Sequence, residues 1–117
     1  MATKDEIHTL IESYVAAVGR QDLEGTLAVF ADDVHQEDPV GTPPNVGIEA
    51  VRGFFERSFA MPFTTELTGP VLVTGDHAAF HFTITVPLGE EEMVVRVIDS
   101  IRVDADGRIA ELRAIVD

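Results

Sequence analysis

Between Glu91 and Asp104 the chain reads EEMVVRVIDSIRVD, and the alternation in this stretch limits the fold more than any other feature. Successive side chains of a strand point to opposite faces, so one face carries Met93, Val95, Val97, Asp99, Ile101 and Val103. The other face carries Glu92, Val94, Arg96, Ile98, Ser100 and Arg102, a mixture suited to partial solvation or to pairing with another subunit. Asp99 is the one carboxyl group in an otherwise apolar row. A carboxylate taken out of water is so costly that it binds a proton or finds a specific partner. The remaining sequence has to account for it.

The N-terminal half has helical periodicity. Thr3 and Glu6 form a capping box, and Ile7, Leu10, Ile11, Tyr14, Val15 and Val18 recur at helical spacing until Gly19. Tyr14 therefore lies on a buried stripe. Asp22 caps a shorter second helix in which Leu23, Leu27 and Phe30 face inward and Ala31-Asp32-Asp33 form the end. From Val34 to Gly47, three prolines and two glycines predict a short strand followed by a shaped loop. A third helix, from Ile48 to about Phe59, carries Val51, Phe54, Phe55 and Phe59.

After Met61-Pro62 the period changes to two. Thr64 to Thr68, Val71 to Thr74 and His77 to Val86 read as strands, separated by Gly69-Pro70 and Gly75-Asp76. The Glu91 strand follows, and Arg108 to Asp117 form the last. These elements predict an α+β fold: three N-terminal helices packed on one face of an antiparallel sheet, with residues 1–117 as a single domain.

The charge narrows the partners. Twenty-one acidic residues against 8 basic ones give a net charge of −13, a surface that repels nucleic acid and anionic membranes. A neutral substrate is expected. The absence of cysteine removes disulfides and thiolate chemistry. The start MATKDEIHTL lacks the basic and apolar segments of a signal peptide, and no stretch is long and apolar enough to span a membrane, so a cytoplasmic protein is expected. No metal is expected either: His77 and His81 share a strand face but stand roughly 13 Å apart, and His35 with Glu37 has no evident third ligand.

Three residues could carry chemistry. Asp38, held extended by Pro39, is either an ordinary turn residue or a loop-held general base. Tyr14 is either a core residue whose hydroxyl reaches a carbonyl or a neutral donor delivered into a dry cavity. Asp99 is a structural carboxyl, a residue turned outward by a bulge, or a protonated donor. Together, one base and two neutral donors are what proton abstraction beside a carbonyl requires, because the enolate oxygen needs donors already in place. Phe54, Phe82, Ile84, Val97, Ile101 and Leu112 would line such a pocket and select a flat apolar ligand.

At these residues the chain resembles the bacterial Δ5-3-ketosteroid isomerases, within the cone-shaped folds similar to nuclear transport factor 2 and the SnoaL-type cyclases. The resemblance runs from about Leu10 to Ala114. It rests on Tyr14-Val15-Ala16-Ala17 with Asp22-Leu23, on Phe30-Ala31-Asp32-Asp33 and Glu37-Asp38-Pro39-Val40-Gly41, on Glu66-Leu67-Thr68, and on Ile98-Asp99 with Arg102. It implies that three helices pack on a curved, mostly antiparallel sheet forming a cone. It also implies that Asp38 moves a proton from C4 to C6 of a steroid while Tyr14 and protonated Asp99 donate to the dienolate oxygen. Ketosteroid isomerase is itself the reference case for a carboxylic acid kept neutral in this way. A hydrophobic steroid substrate, no cofactor and a homodimer joined through the outer sheet face are further implications, with Val40, Val86 and Val116 added to the pocket.

The sequence departs from some relatives in ways that bear on the site. Phe30 and Phe55 stand where those relatives extend the tyrosine hydroxyl into a network, and Tyr14 is the only tyrosine here. Val86 and Val116 replace aromatic residues, so a more open pocket rim is expected. Other readings are a related cyclase or hydrolase and a non-catalytic binder of small apolar ligands. An epoxide-hydrolase arrangement needs an arginine near the carboxylates, whereas Arg96 and Arg102 fall on the face opposite Asp99.

Overall fold

The computed structural model describes Met1–Asp117. Helix α1, Lys4–Gly19, begins at the expected capping box: Thr3 Oγ1 accepts from the Glu6 amide at 3.1 Å, and Glu6 Oε1 accepts from the Thr3 amide at 2.9 Å. These bonds satisfy two otherwise orphaned donors and fix the start of the helix. Ile7, Ile11, Tyr14, Val15 and Val18 then face the core. No helix in the molecule is long and apolar enough to cross a membrane.

Helix α2, Leu23–Leu27, is shorter than the sequence spacing predicts. Asp22 caps it by accepting from the Gly25 amide, but Phe30 opens strand β1, Phe30–Glu37, instead of ending the helix. A distant strand claims the backbone here. The Ile109 amide donates to the Val29 carbonyl at 2.8 Å, and Phe30 pairs with Ile109. Strand β2, Asn45–Val46, and helix α3, Ile48–Ser58, complete the first half.

The second half comprises β3, Thr64–Thr74; β4, His77–Leu88; β5, Glu91–Val103; and β6, Ile109–Val116. The two predicted strands around Gly69-Pro70 are one strand, β3, whose register shifts between Leu67 and Val71. An edge strand tolerates a proline, and a β-carbon at Gly69 would meet His81 Cβ at 2.7 Å, so the glycine permits the close approach.

All six strands form one curved sheet in the order β2-β1-β6-β5-β4-β3. The ladder is antiparallel throughout except between β1 and β6, a parallel pair that the antiparallel reading omits. Helix α1 lies along β3, and α3 closes over β1. The buried inner face carries Phe80 and Phe82 from β4, Val97, Ile101 and Val103 from β5, Leu112 and Ala114 from β6, and Val34 from β1. This is an α+β cone with its helices on the inner face.

Candidate active site

Strand β5 keeps its alternation through Asp99, which pairs with Phe80 on one side and Ala114 on the other. No bulge turns it outward. The side chain is 1 % exposed, and neither carboxyl oxygen has a hydrogen-bond partner in the protein. Burial is the first cause raising its pKa well above the usual carboxylate value, and the charge of Asp38 is the second. Both causes favour the protonated, neutral form of Asp99 over the carboxylate.

Tyr14 reaches the same region from α1. Its ring meets Phe30, Phe55 and Phe80 edge-on at centroid distances of 5.7, 6.4 and 6.2 Å. Such contacts fix the ring plane and hence the hydroxyl. Burial, then Asp99, then Asp38 raise its pKa well above 10.0, so the phenol keeps its proton.

Asp38 comes from the end of β1. Glu37 pairs with Arg113, so the chain leaves β1 beside Ala114, and the Val40 amide donates to the Ala114 carbonyl at 2.8 Å. Glu37 Oε1 accepts from the Gly41 amide at 3.0 Å and closes the turn around a cis Asp38-Pro39 bond. Asp38 is half-buried, and loss of water raises its pKa to about 6. Asp99 also pairs with Ala114, so β6 runs between the strand that carries Asp99 and the turn that carries Asp38. Two strand spacings put their backbones roughly 10 Å apart.

A cavity of about 140 Å³ opens between α1, α3 and the sheet. Of the residues expected on its wall, Tyr14, Asp38, Phe54, Phe82, Ile84, Val97 and Val116 line it. Asp99 is fully buried and is not part of the lining. Four expected pocket residues lie elsewhere. Val40 is 44 % exposed on the turn beyond Asp38, and Val86 lies toward the far end of β4 opposite the exposed Met93. Ile101 and Leu112 pair with each other in the packed core one row deeper than Asp99. Strand alternation assigns a face, but it does not say how far along that face the cavity extends.

The lining also contains residues that sequence reasoning left out of the pocket: Val18, Phe55, Ser58, Phe59, Phe63 and Val95. For some the signal was present. Val95 shares the Asp99 row, and Phe55 with Phe59 has helical spacing. Phe54, Phe55, Phe59 and Phe63 touch in succession at 5.1, 5.4 and 6.0 Å and form an aromatic wall. Flat apolar rings fit against such a wall.

Charged groups elsewhere form other pairs. Arg96 pairs with Asp117 and Arg102 with Glu111, so neither arginine serves the two buried carboxyls. No three histidine, aspartate or glutamate side chains converge to hold a metal ion.

The description of a SnoaL-like domain matches residues 11–112. Over 109 residues, 93% of this chain and 88% of the relative, the sequence is 35% identical to a steroid Delta-isomerase from Nocardioides simplex. The chain belongs to the SnoaL-like family, within the folds similar to nuclear transport factor 2, and is a relative of the steroid Delta-isomerases.

Proposed function

We propose that this protein is a steroid Δ-isomerase, converting 3-oxo-Δ5-steroids to the conjugated 3-oxo-Δ4 isomers without a cofactor. One observation carries the reading. A fully buried carboxyl with two unpartnered oxygens lies close enough to a buried phenol to raise its pKa, and the phenol shares an apolar cavity with a second carboxyl whose pKa burial raises to about 6. A passive binding cup has no need of such a separation between two acids.

In this reading Asp38 accepts the C4 proton as the C4–H bond breaks. The electron pair moves through C3 onto the carbonyl oxygen and gives a dienolate. Tyr14 and Asp99 donate to that oxygen, and their raised pKa values keep both protons in place. Protonated Asp38 then delivers the same proton to C6, the double bond shifts into conjugation, and the enzyme is regenerated. The pKa of Asp38, about 6, leaves it ionised at pH 7 and still a competent base.

The expected partner is a second copy. Leu72, Val94, Ile98 and Ile115 expose apolar surface on the strands of the sheet, and Ile98 pairs directly with Ile115. A cytoplasmic homodimer joined through this face accords with the resemblance.

The test is direct. Protein mixed with 5-androstene-3,17-dione should generate the ultraviolet absorbance of the conjugated enone far faster than buffer. Growth at the buffer rate, with the protein folded, overturns the proposal.

A further inference from the structure

Gln36 is 0 % exposed on the inner face of β1, two residues before Asp38. Its Oε1 accepts from Asn45 Nδ2 at 3.0 Å, and its Nε2 has no partner. Packing alone does not call for an amide here. Leu112 stands beside Gln36 in register, with Ile101 beyond it, so the surroundings are apolar. An unsatisfied buried donor is destabilising, whereas an apolar side chain of similar size avoids that cost.

What the amide does concerns the loop that starts at Asp38 and returns at β2. Strand β2 has only two residues and two register pairs, His35 with Val46 and Gln36 with Asn45. So short a ladder specifies register weakly, and a slip of one residue would invert every side chain in it. The first part of the loop is held by the Gly41 and Val40 amides. Its return is held by the Gly47 amide on the Val34 carbonyl at 2.7 Å and by the Gln36–Asn45 amide pair. The pair is the one side-chain hydrogen bond across the β1–β2 ladder, and Gln36 brings to it a fully buried amide that a mismatched register would leave with no partner at all.

Resting on the reading of Asp38 as the base, we propose that Gln36 and Asn45 are positioning residues: the hydrogen bond between their side-chain amides sets the register of the loop return and so holds the Asp38 carboxyl in the cavity. The charged and titratable groups around Asp38 are Tyr14 on α1 and Asp99 on β5, with Glu37 and Arg113 paired nearby across β1 and β6. None of them belongs to the amide pair.

Two variants, Gln36→Leu and Asn45→Ala, test the proposal with a readout that does not depend on turnover. The Asp38 side-chain carboxyl is titrated by carbon-13 NMR in each variant and in the parent protein, alongside thermal melting. A released loop lets water reach Asp38, so its midpoint should fall from about 6 toward 3.8 in both variants. Gln36→Leu should melt no lower than the parent protein. In the isomerase assay kcat should fall by roughly ten- to a hundredfold, as small misplacements of a reacting group do, with little change in KM.

An unchanged Asp38 midpoint in Asn45→Ala overturns the proposal. Should Gln36→Leu fail to fold, Asn45→Ala decides alone: a lowered midpoint upholds the role and an unchanged one removes it. Failure of the parent protein to isomerise the steroid would instead overturn the functional reading, and the titration would still report on the positioning.

Discussion

A carboxyl group with no hydrogen bond to either oxygen is tolerable in an apolar core only while it keeps its proton. The raised pKa of Asp99 favours that state, and the phenylalanines around Tyr14 increase its importance. Phe30 and Phe55 pack against Tyr14 in T-shaped contacts and carry no hydroxyl to extend a hydrogen-bond relay. In the proposed mechanism Asp99 is then the second donor to the developing oxyanion. Replacement by asparagine keeps an N–H donor, whereas alanine removes it. Asp99→Asn should cost at most about tenfold in kcat, and Asp99→Ala about 10²- to 10³-fold, the usual loss of an oxyanion donor. Steady-state rates on the steroid at pH 7 measure the difference, and equal losses would show that the donor role is misassigned. The anomaly at Asp99 was legible in the sequence because alternation puts a single residue out of place against five apolar ones. Ala114 was not legible as the spacer between the carboxyls. Its place depends on the register of two ladders that meet from distant parts of the chain.

At the scale of elements, strands with strict alternation were readable almost to their ends, since side-chain period and burial coincide there. Strand β5 runs Glu91–Val103, one residue short of the stretch that suggested it. Elements decided by nonlocal pairing were not. Phe30 continues the helical spacing of Leu23 and Leu27 but joins β1 because Ile109 pairs with it. Gly69-Pro70 has the composition of a turn yet lies within an edge strand. The outer face of the sheet is where an element-scale prediction belongs. Ile98 and Ile115, 45 % and 61 % exposed, form an in-register apolar pair. Exposed apolar area of this kind favours association, and charges of one sign placed on it oppose contact. The double variant Ile98→Glu, Ile115→Glu should sediment as a monomer under conditions where the parent protein sediments as a dimer. Unchanged sedimentation of a dimeric parent would place its interface elsewhere.

For the whole molecule, the buried acids couple stability to pH. The folded-state pKa of Asp38, about 6, lies above the ordinary 3.8, so folding favours its protonated form. Its contribution is fully present below about pH 4 and is lost as pH rises through 6. At pH 7 the ionised group therefore opposes folding, by up to about 3 kcal/mol for a shift of this size. Asp38→Asn should unfold at higher urea concentration than the parent protein at pH 7 and lose most of that advantage near pH 4, while turnover nearly disappears. A variant less stable than its parent at pH 7 would contradict the account. The same three acids also fix when during synthesis the site can come into being. Tyr14 and Asp38 are made early, but Asp38 is placed against Asp99 only through Ala114 on β6, the last strand, and through the parallel β1–β6 ladder. Parallel pairing between chain ends is among the slower contacts to form. A nascent chain that has emerged as far as β5 therefore holds all three acids and no site, which is complete only when β6 has paired on both of its edges.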